Sequence, residues 1–301
     1  MDPLLLVTNS EAGTADAERL ETALTVLRAA TDVEVASTST PGELDGVLHR
    51  SASRRIVVAG GDGSMHAVVA ALHRRGELTD ARLALIPLGT GNDYARGQDI
   101  PLDPAEAARL VLDGELRPVD VLVDCRGEVV VNSVHVGAGA SASRRAERWK
   151  KRLGTVGIGR LGYVVGAAIT AVDPPVLRLR VEVDGEVVAD LDRPVLQVAV
   201  GIGSHVGGGT ELTPEATPED GRADVLVSFA VGPVARVGYA LGLARGAHHE
   251  RSDVLYGHGT RVQITGEEFW CSADGEIDGP ERNRTWTLQR GAFAMTLPPR
   301  D

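Results

Sequence analysis

The periodicity of the apolar residues changes once along the chain, near residue 119, and this change narrows the fold more than any other feature. Before it, short apolar runs alternate with stripes at helical spacing. The runs are Leu4-Leu5-Leu6-Val7, Val33-Glu34-Val35-Ala36, Ile56-Val57-Val58-Ala59 and Leu83-Ala84-Leu85-Ile86. The first and last have the composition of strands buried on both faces. Between them Leu20, Ala23, Leu24 and Leu27, then Leu44, Val47 and Leu48, then Met65, Val68, Val69 and Leu72 each mark one helical stripe. Such alternation predicts a parallel sheet with helices on both faces and right-handed crossovers. Ligands of such sheets bind beyond the carboxyl ends of the strands. That rule brings three polar loops to one rim: residues 9–13 (Asn-Ser-Glu-Ala-Gly), 60–64 (Gly-Gly-Asp-Gly-Ser) and 87–93 (Pro-Leu-Gly-Thr-Gly-Asn-Asp).

After residue 119 the texture is that of strands and hairpins. Segments 119–124 and 129–134 flank a turn-like Cys125-Arg126-Gly127-Glu128. Leu177, Leu179, Val181 and Val183 alternate with polar residues and lead into Asp184-Gly185, a two-residue hairpin turn. Val225, Val227 and Phe229 alternate again, and Val262 with Ile264, and residues 292–297, read as further strands. Two helical inserts are expected, around residues 162–172 and from Pro233, at a first helical position, to Arg245. The expected fold is α/β plus β. A doubly wound parallel-sheet domain spans residues 1–118, with a strand from 286–301 available to complete it, and a largely antiparallel β-sandwich domain spans 119–285. A length of 301 residues suits two such domains.

The loop at residues 60–64 has the chemistry of a phosphate holder. Glycines let the backbone approach a ligand closely, and amides of the following first helical turn converge on an anion. Asp62 is a carboxylate in that loop, as expected if it orders Mg²⁺, a sugar or an incoming hydroxyl. The competing reading is a tight strand-to-helix turn. Composition bears on the partner: aromatics are 3% and net charge is -11, which disfavours base stacking and phosphate neutralisation, so nucleic acid is not expected. Cys125 and Cys271 lack metal-ligand spacing, and a reduced, cytosolic protein is expected. The N-terminus lacks the pattern of a signal peptide and no stretch approaches the roughly 20 apolar residues of a membrane span. Membrane contact, if any, is expected from outside.

Residues 60–64 followed by Pro87-Leu88-Gly89-Thr90-Gly91-Asn92-Asp93-Tyr94-Ala95-Arg96 resemble the diacylglycerol kinase catalytic-domain family, the bacterial lipid kinases. Sphingosine, ceramide and NAD kinases are more distant kin, and the second motif separates the lipid kinases from the NAD kinases. The resemblance extends to Asn9, to Thr38, to Gly207-Gly208-Gly209 with Pro214-Glu215-Ala216 and residues 219–224, and to Asp274-Gly275-Glu276. It implies that ATP lies across Asn9, Thr38, Gly60, Gly61, Asp62, Gly63, Ser64, Met65, His66, Gly89, Thr90 and Asn92, between the two domains. It implies Glu276 as the base that takes the acceptor hydroxyl's proton, with Asp62 and Asp274 sharing a Mg²⁺ and water network. It further implies a second, structural Mg²⁺ on Asp220 with the carbonyls of Thr217 and Arg222. Hard oxygen donors suit that ion, and phosphoryl transfer needs placement and charge neutralisation more than covalent chemistry.

Each assignment has a plainer rival: Asp220-Gly221 as a turn, Asp274-Gly275 as a type I′ hairpin turn. His66, His135, His248 and His249 show no metal spacing and are read as structural or solvated. The chain departs from the family in Ser10 for Pro, Ser64 for the commoner Thr, and Ile202 where Asn is usual. Arg144, Arg145, Arg148, Lys150, Lys151 and Arg152 beside Trp149 and Glu147 read either as a patch for anionic lipid or as a solvated helix face. The expected function is an ATP- and Mg²⁺-dependent lipid kinase, diacylglycerol being the first acceptor, working at the inner membrane face. A different lipid alcohol, or a nucleotide-binding regulatory module that has lost catalysis, is the alternative. A homodimer is left open.

Overall fold

The computed structural model describes residues 3–9, 14–50, 55–141 and 176–300. The second helical insert expected from sequence is seen; the first, at residues 162–172, lies outside the described residues, as do residues 10–13 and 144–152. The chain divides into two compact units, Met1–Val121 with Gln289–Asp301, and Leu122–Leu288.

The first unit is the parallel sheet. Its strands are β1 (Leu4–Asn9), β2 (Val33–Thr38), β3 (Arg55–Gly60) and β4 (Arg82–Pro87), side by side in the order β2-β1-β3-β4 and all parallel. Strands β1, β3 and β4 are buried almost throughout, as their continuous apolar runs require, whereas β2 is an edge strand and half exposed. Helices α1 (Thr14–Arg28), α2 (Pro41–Arg50) and α3 (Asp62–Arg74) are the crossovers. Leu24 and Leu27 of α1 pack with Leu4, Leu6, Val57 and Ile86 of the sheet. Two helices follow β4: α4 (Asp93–Gly97) and α5 (Pro104–Asp113). Neither was expected, although α5 carries a plain start signal. Asp103 accepts hydrogen bonds at 3.0 Å from the amides of Ala105 and Glu106, and Pro104 occupies the first turn.

The second unit is largely antiparallel, as expected. Strands β5 (Glu115–Asp124), β6 (Val129–Val130), β7 (Ser133–Gly137), β8 (Leu179–Val183), β9 (Glu186–Ala189), β10 (Gln197–Gly201), β11 (His205–Val206), β12 (Thr210–Glu211), β13 (Ala223–Ser228), β14 (Val254–Gly259), β15 (Arg261–Ala273) and β16 (Glu276–Leu297) complete the strand set, with α6 (Pro233–Leu243) before β14. The order β14-β13-β10-β7-β15-β16 is antiparallel throughout. Strand β15 pairs with β16 along one edge and serves two partners on the other. Residues 262–266 pair with β8, residues 271–273 pair with β7, and the register shifts in between. Side chains from both stretches close on one core that holds Trp286, Phe269, Val200 and Ile264. The last residues of β16 pair in parallel with β4, Ala294 beside Arg82, so a C-terminal strand joins the first sheet.

One strand differs from expectation. The single strand read over residues 129–134 is broken into β6 and β7, because the amides of Val131 and Asn132 leave the ladder to bind a side chain, that of Asp274.

Candidate active site

In the first unit the ends of the parallel strands are level. Asn9 stands opposite Thr38, Thr8 opposite Ala59, and Gly60 opposite Pro87. The residues singled out on β1, on β2 and in both glycine-rich loops therefore collect at the carboxyl edge of one sheet. The two loops pack backbone to backbone. A Cβ on Gly61 would lie 3.0 Å from the Gly89 Cα, and one on Gly89 would lie 2.6 Å from the Gly61 Cα and 2.8 Å from Asn92 Oδ1. Only glycine permits that approach. The Leu88 amide donates to the Gly60 carbonyl at 3.0 Å, which ties the loops further.

Helix α3 begins directly at this contact, capped by Gly61, which offers no side chain to its first-turn amides. The amides of Ser64 and Met65 fold back onto the Gly61 carbonyl at 3.0 and 3.1 Å. The preceding turn of backbone is left to face an anion. Met65 is fully buried and His66 half-buried, so Met65 contributes to the core rather than a side chain to the rim. Asp62 opens the helix, and its Oδ1 accepts from the Tyr94 amide at 2.9 Å. That bond explains how a carboxylate can sit in an anion loop: one oxygen is engaged in holding the second loop to the first. Asn92 takes the left-handed conformation (φ 52°), donates to the Gly89 carbonyl at 2.7 Å, and keeps a buried Oδ1 to which none of the described residues donates. A buried acceptor without a donor suits a ligand that brings one. The residues present thus fit a nucleotide phosphate and its sugar or base.

Sequence reasoning missed Arg19. From α1 its guanidinium donates to the carbonyls of Leu88, Pro87 and Leu102 at 3.1, 2.9 and 3.2 Å. Those are the carbonyls that enter and follow the second loop. An arginine on an otherwise acidic stretch of helix was the available signal.

In the second unit Asp274-Gly275 is the expected two-residue turn, with φ 48° and 89°, between β15 and β16. Asp274 Oδ2 accepts from the Val131 amide at 2.7 Å, and Oδ1 from the amides of Asn132 and Ser133 at 2.9 and 3.1 Å. The carboxylate is thereby the foundation of the hairpin. Glu276, two residues on, is exposed, and its carboxylate forms no hydrogen bond or ion pair with the described residues. A free carboxylate on a rigidly founded turn is suited to accept a proton. Beside the turn, His135 lies opposite Ser272 and its Nε2 is 3.1 Å from Ser133 Oγ. Burial lowers the His135 pKa to about 4, against a smaller opposing pull from Asp274, so the imidazole is neutral.

The Thr217, Asp220 and Arg222 loop is exposed at Asp220, whose Oδ1 accepts from the Arg222 amide at 2.9 Å, with Gly221 at φ 73°. Among the described residues no three His, Cys, Asp or Glu side chains gather to hold a metal. A cation on this loop would thus depend on Asp220 and main-chain oxygens. Asp224 was read from sequence only as the end of the 219–224 motif, and Arg284, elsewhere in this unit, was not singled out. Asp224 is buried against the hydroxyl of Tyr256 and against His258 Nδ1 at 3.0 Å, and burial raises its pKa over the opposing hydrogen bonds. Arg284, buried on β16, pairs with buried Asp124 and, at 2.5 Å, with Asp278. Its pKa is raised because these carboxylates outweigh the cost of burial. Ile202, the departure from the family pattern, is fully buried in the core and donates its amide to the Asn132 carbonyl at 2.9 Å. Its apolar side chain has a packing role.

Comparison with known proteins agrees with this geometry. The family model described as diacylglycerol kinase catalytic domain matches residues 3–123, and the one described as YegS C-terminal NAD kinase beta sandwich-like domain matches residues 132–293. A Pseudomonas aeruginosa protein named "Probable lipid kinase YegS-like" is 32% identical over 247 residues, 81% of this chain and 76% of that protein. A protein of the same name from Stenotrophomonas maltophilia is 35% identical over 182 residues, 57% of this chain and 55% of that one. A solved structure titled as a diacylglycerol kinase from Bacillus anthracis superposes with a TM-score of 0.78 at 25% identity, covering 99% of this chain and 98% of that one. Yeast NADH kinase shares the fold alone, at a TM-score of 0.50 and 11% identity over 99% of this chain and 84% of that one.

Proposed function

The chain belongs to the diacylglycerol kinase catalytic-domain family and is a lipid kinase, and on that premise we propose that it transfers the γ-phosphate of ATP to the hydroxyl of diacylglycerol. The observation that carries the nucleotide half is the level carboxyl edge of the parallel sheet. There Asn9, Thr38, the Gly60-Gly61 turn and the Gly89 to Asn92 loop stand together. Backbone amides of the Gly61-Asp62-Gly63 turn receive the phosphates, helped by the positive end of α3. Asn9, Thr38 and Thr90 orient the nucleotide, and the buried Asn92 Oδ1 takes a donor from it. Asp62 keeps the two loops in contact through the Tyr94 amide.

Glu276 removes the proton from the attacking lipid hydroxyl, and Asp274 acts through it by fixing the turn on three backbone amides. Mg²⁺, when bound, would neutralise the charge on the transferring phosphate, with Asp62 and Asp274 as the carboxylates that would share its water network. A second Mg²⁺ would be held by Asp220 with the carbonyls of Thr217 and Arg222. Ile202, which stands where the family usually has Asn, packs in the core and offers no polar contact to a substrate.

The test is transfer of label from γ-labelled ATP to a panel of diacylglycerol, sphingoid base and glycolipid precursors, with the organic phase counted. Labelled phosphatidic acid is the expected product. Label in another lipid would correct the acceptor. No labelled lipid from a preparation that binds ATP would overturn the kinase assignment.

A further inference from the structure

The second glycine-rich loop is gripped from behind. Arg19 on α1 donates from Nη1 to the Leu88 carbonyl at 3.1 Å and from Nη2 to the carbonyls of Pro87 and Leu102 at 2.9 and 3.2 Å. Pro87 and Leu88 are consecutive, so one half-buried guanidinium holds two neighbouring peptides by their oxygens. In a trans peptide the N–H lies opposite the C=O, and the amides of these two peptides, those of Leu88 and Gly89, therefore point away from Arg19. The Leu88 amide is engaged, donating to the Gly60 carbonyl at 3.0 Å. The Gly89 amide has no acceptor among the described residues, and its nitrogen lies 3.6 Å from the place a Gly61 Cβ would occupy. That donor stands against the glycine turn that opens α3. Asn92 holds the other side of the same residue, its Nδ2 donating to the Gly89 carbonyl at 2.7 Å.

The charge makes Arg19 more than a clamp. Helix α1 also carries Asp16, Glu18 and Glu21, yet none of them pairs with it, and Glu21 lies 4.0 Å from Arg28 instead. Among the described residues no carboxylate forms an ion pair with Arg19. Hydrogen bonds from a charged donor are the strong ones, and a peptide polarised at its oxygen becomes a better donor at its nitrogen. A cation without a carboxylate thus sits behind two amides, and the one left over faces a turn suited to an anion.

We propose that Arg19 is a positioning residue for the nucleotide: through the Leu88–Gly89 peptide it sets and polarises the Gly89 amide as a donor to a phosphate oxygen. The proposal rests on the reading of this sheet edge as a nucleotide phosphate site. It adds to that site a residue that never touches the ligand and still selects for the ligand's charge.

The test compares dissociation constants for ATP and for adenosine, by calorimetry on the full chain, in wild type, Arg19→Gln and Arg19→Lys. Adenosine lacks the phosphates and so reports only whether the nucleoside part of the site is intact. Arg19→Gln should weaken ATP about tenfold and leave adenosine within about a factor of two. Arg19→Lys keeps the charge but loses the fork, and should fall between wild type and Arg19→Gln for ATP. Equal weakening of ATP and adenosine would make Arg19 a purely structural clamp and overturn the proposal, as would unchanged ATP affinity in Arg19→Gln. Where thermal melting shows Arg19→Gln unfolded, Arg19→Lys decides by the same criterion: a loss confined to ATP supports the proposal, and a loss shared with adenosine, or no loss, overturns it. Wild-type protein that binds neither ligand defeats the nucleotide reading and the proposal with it. Wild-type ATP binding that the variants share defeats the proposal alone.

Discussion

Arg284 has 5% of its side chain exposed and Asp124 has 1%, so each depends on the other for its charge. Asp124 is further held by the amides of Arg126 and Glu128 at 2.8 and 2.9 Å. Arg284→Ala would leave a buried carboxylate without its cation, at a cost of about 3–5 kcal/mol, read as a lower denaturant midpoint with an unchanged slope. The second ion pair of Arg284, to half-exposed Asp278, contributes little of that. His135 gives a pH signature. Its folded pKa of about 4 lies below the 6.5 of the free imidazole. Between those values the unfolded chain binds the extra proton, so stability contributed by this residue is intact above pH 6.5 and falls as pH drops towards 4. The full difference is about 3 kcal/mol. Against wild type, His135→Gln is expected to lose less stability between pH 6.5 and 4.5 in urea melts. An equal loss would place the acid sensitivity elsewhere. Neither residue was singled out for these roles from sequence, because Arg284 meets Asp124 only in the folded sheet and His135 is buried only once β10 and β15 pair on either side of it.

At the scale of elements, the parallel strands, the hairpin turns at Asp184-Gly185 and Asp274-Gly275, and the helix starting at Pro233 were legible because each rests on local chemistry. Apolar runs, positive-φ turn residues and a first-turn proline need no distant partner to be recognised. The split of β6 from β7 was not legible. Residues 129–134 have a strand composition, and the reason they break is a carboxylate 142 positions away from Asn132 that draws off the amides. The candidate site divides in the same way. Its glycines were readable as motifs, while their mutual contact, and Arg19's hold on the second loop, exist only once β3 and β4 lie in register. Gly89→Ala tests that contact. A Cβ 2.6 Å from the Gly61 backbone must push one loop aside, with an expected cost of about 1–3 kcal/mol and weaker ATP binding by calorimetry. Unchanged affinity would show that the loops need not touch.

For the whole molecule, two units with separate cores carry the residues in question: the groups proposed to hold the nucleotide in the first, the Glu276 turn in the second. Among the described residues no helix is long and apolar enough to cross a membrane. The central claim is that Glu276, one exposed carboxylate on a turn founded by Asp274, does the proton chemistry. The most direct test is the turnover of Glu276→Gln on diacylglycerol at saturating ATP, measured beside its ATP affinity. The account predicts a fall in kcat of about 10²- to 10⁴-fold with ATP binding and thermal stability unchanged. Turnover within a factor of two of wild type would contradict it.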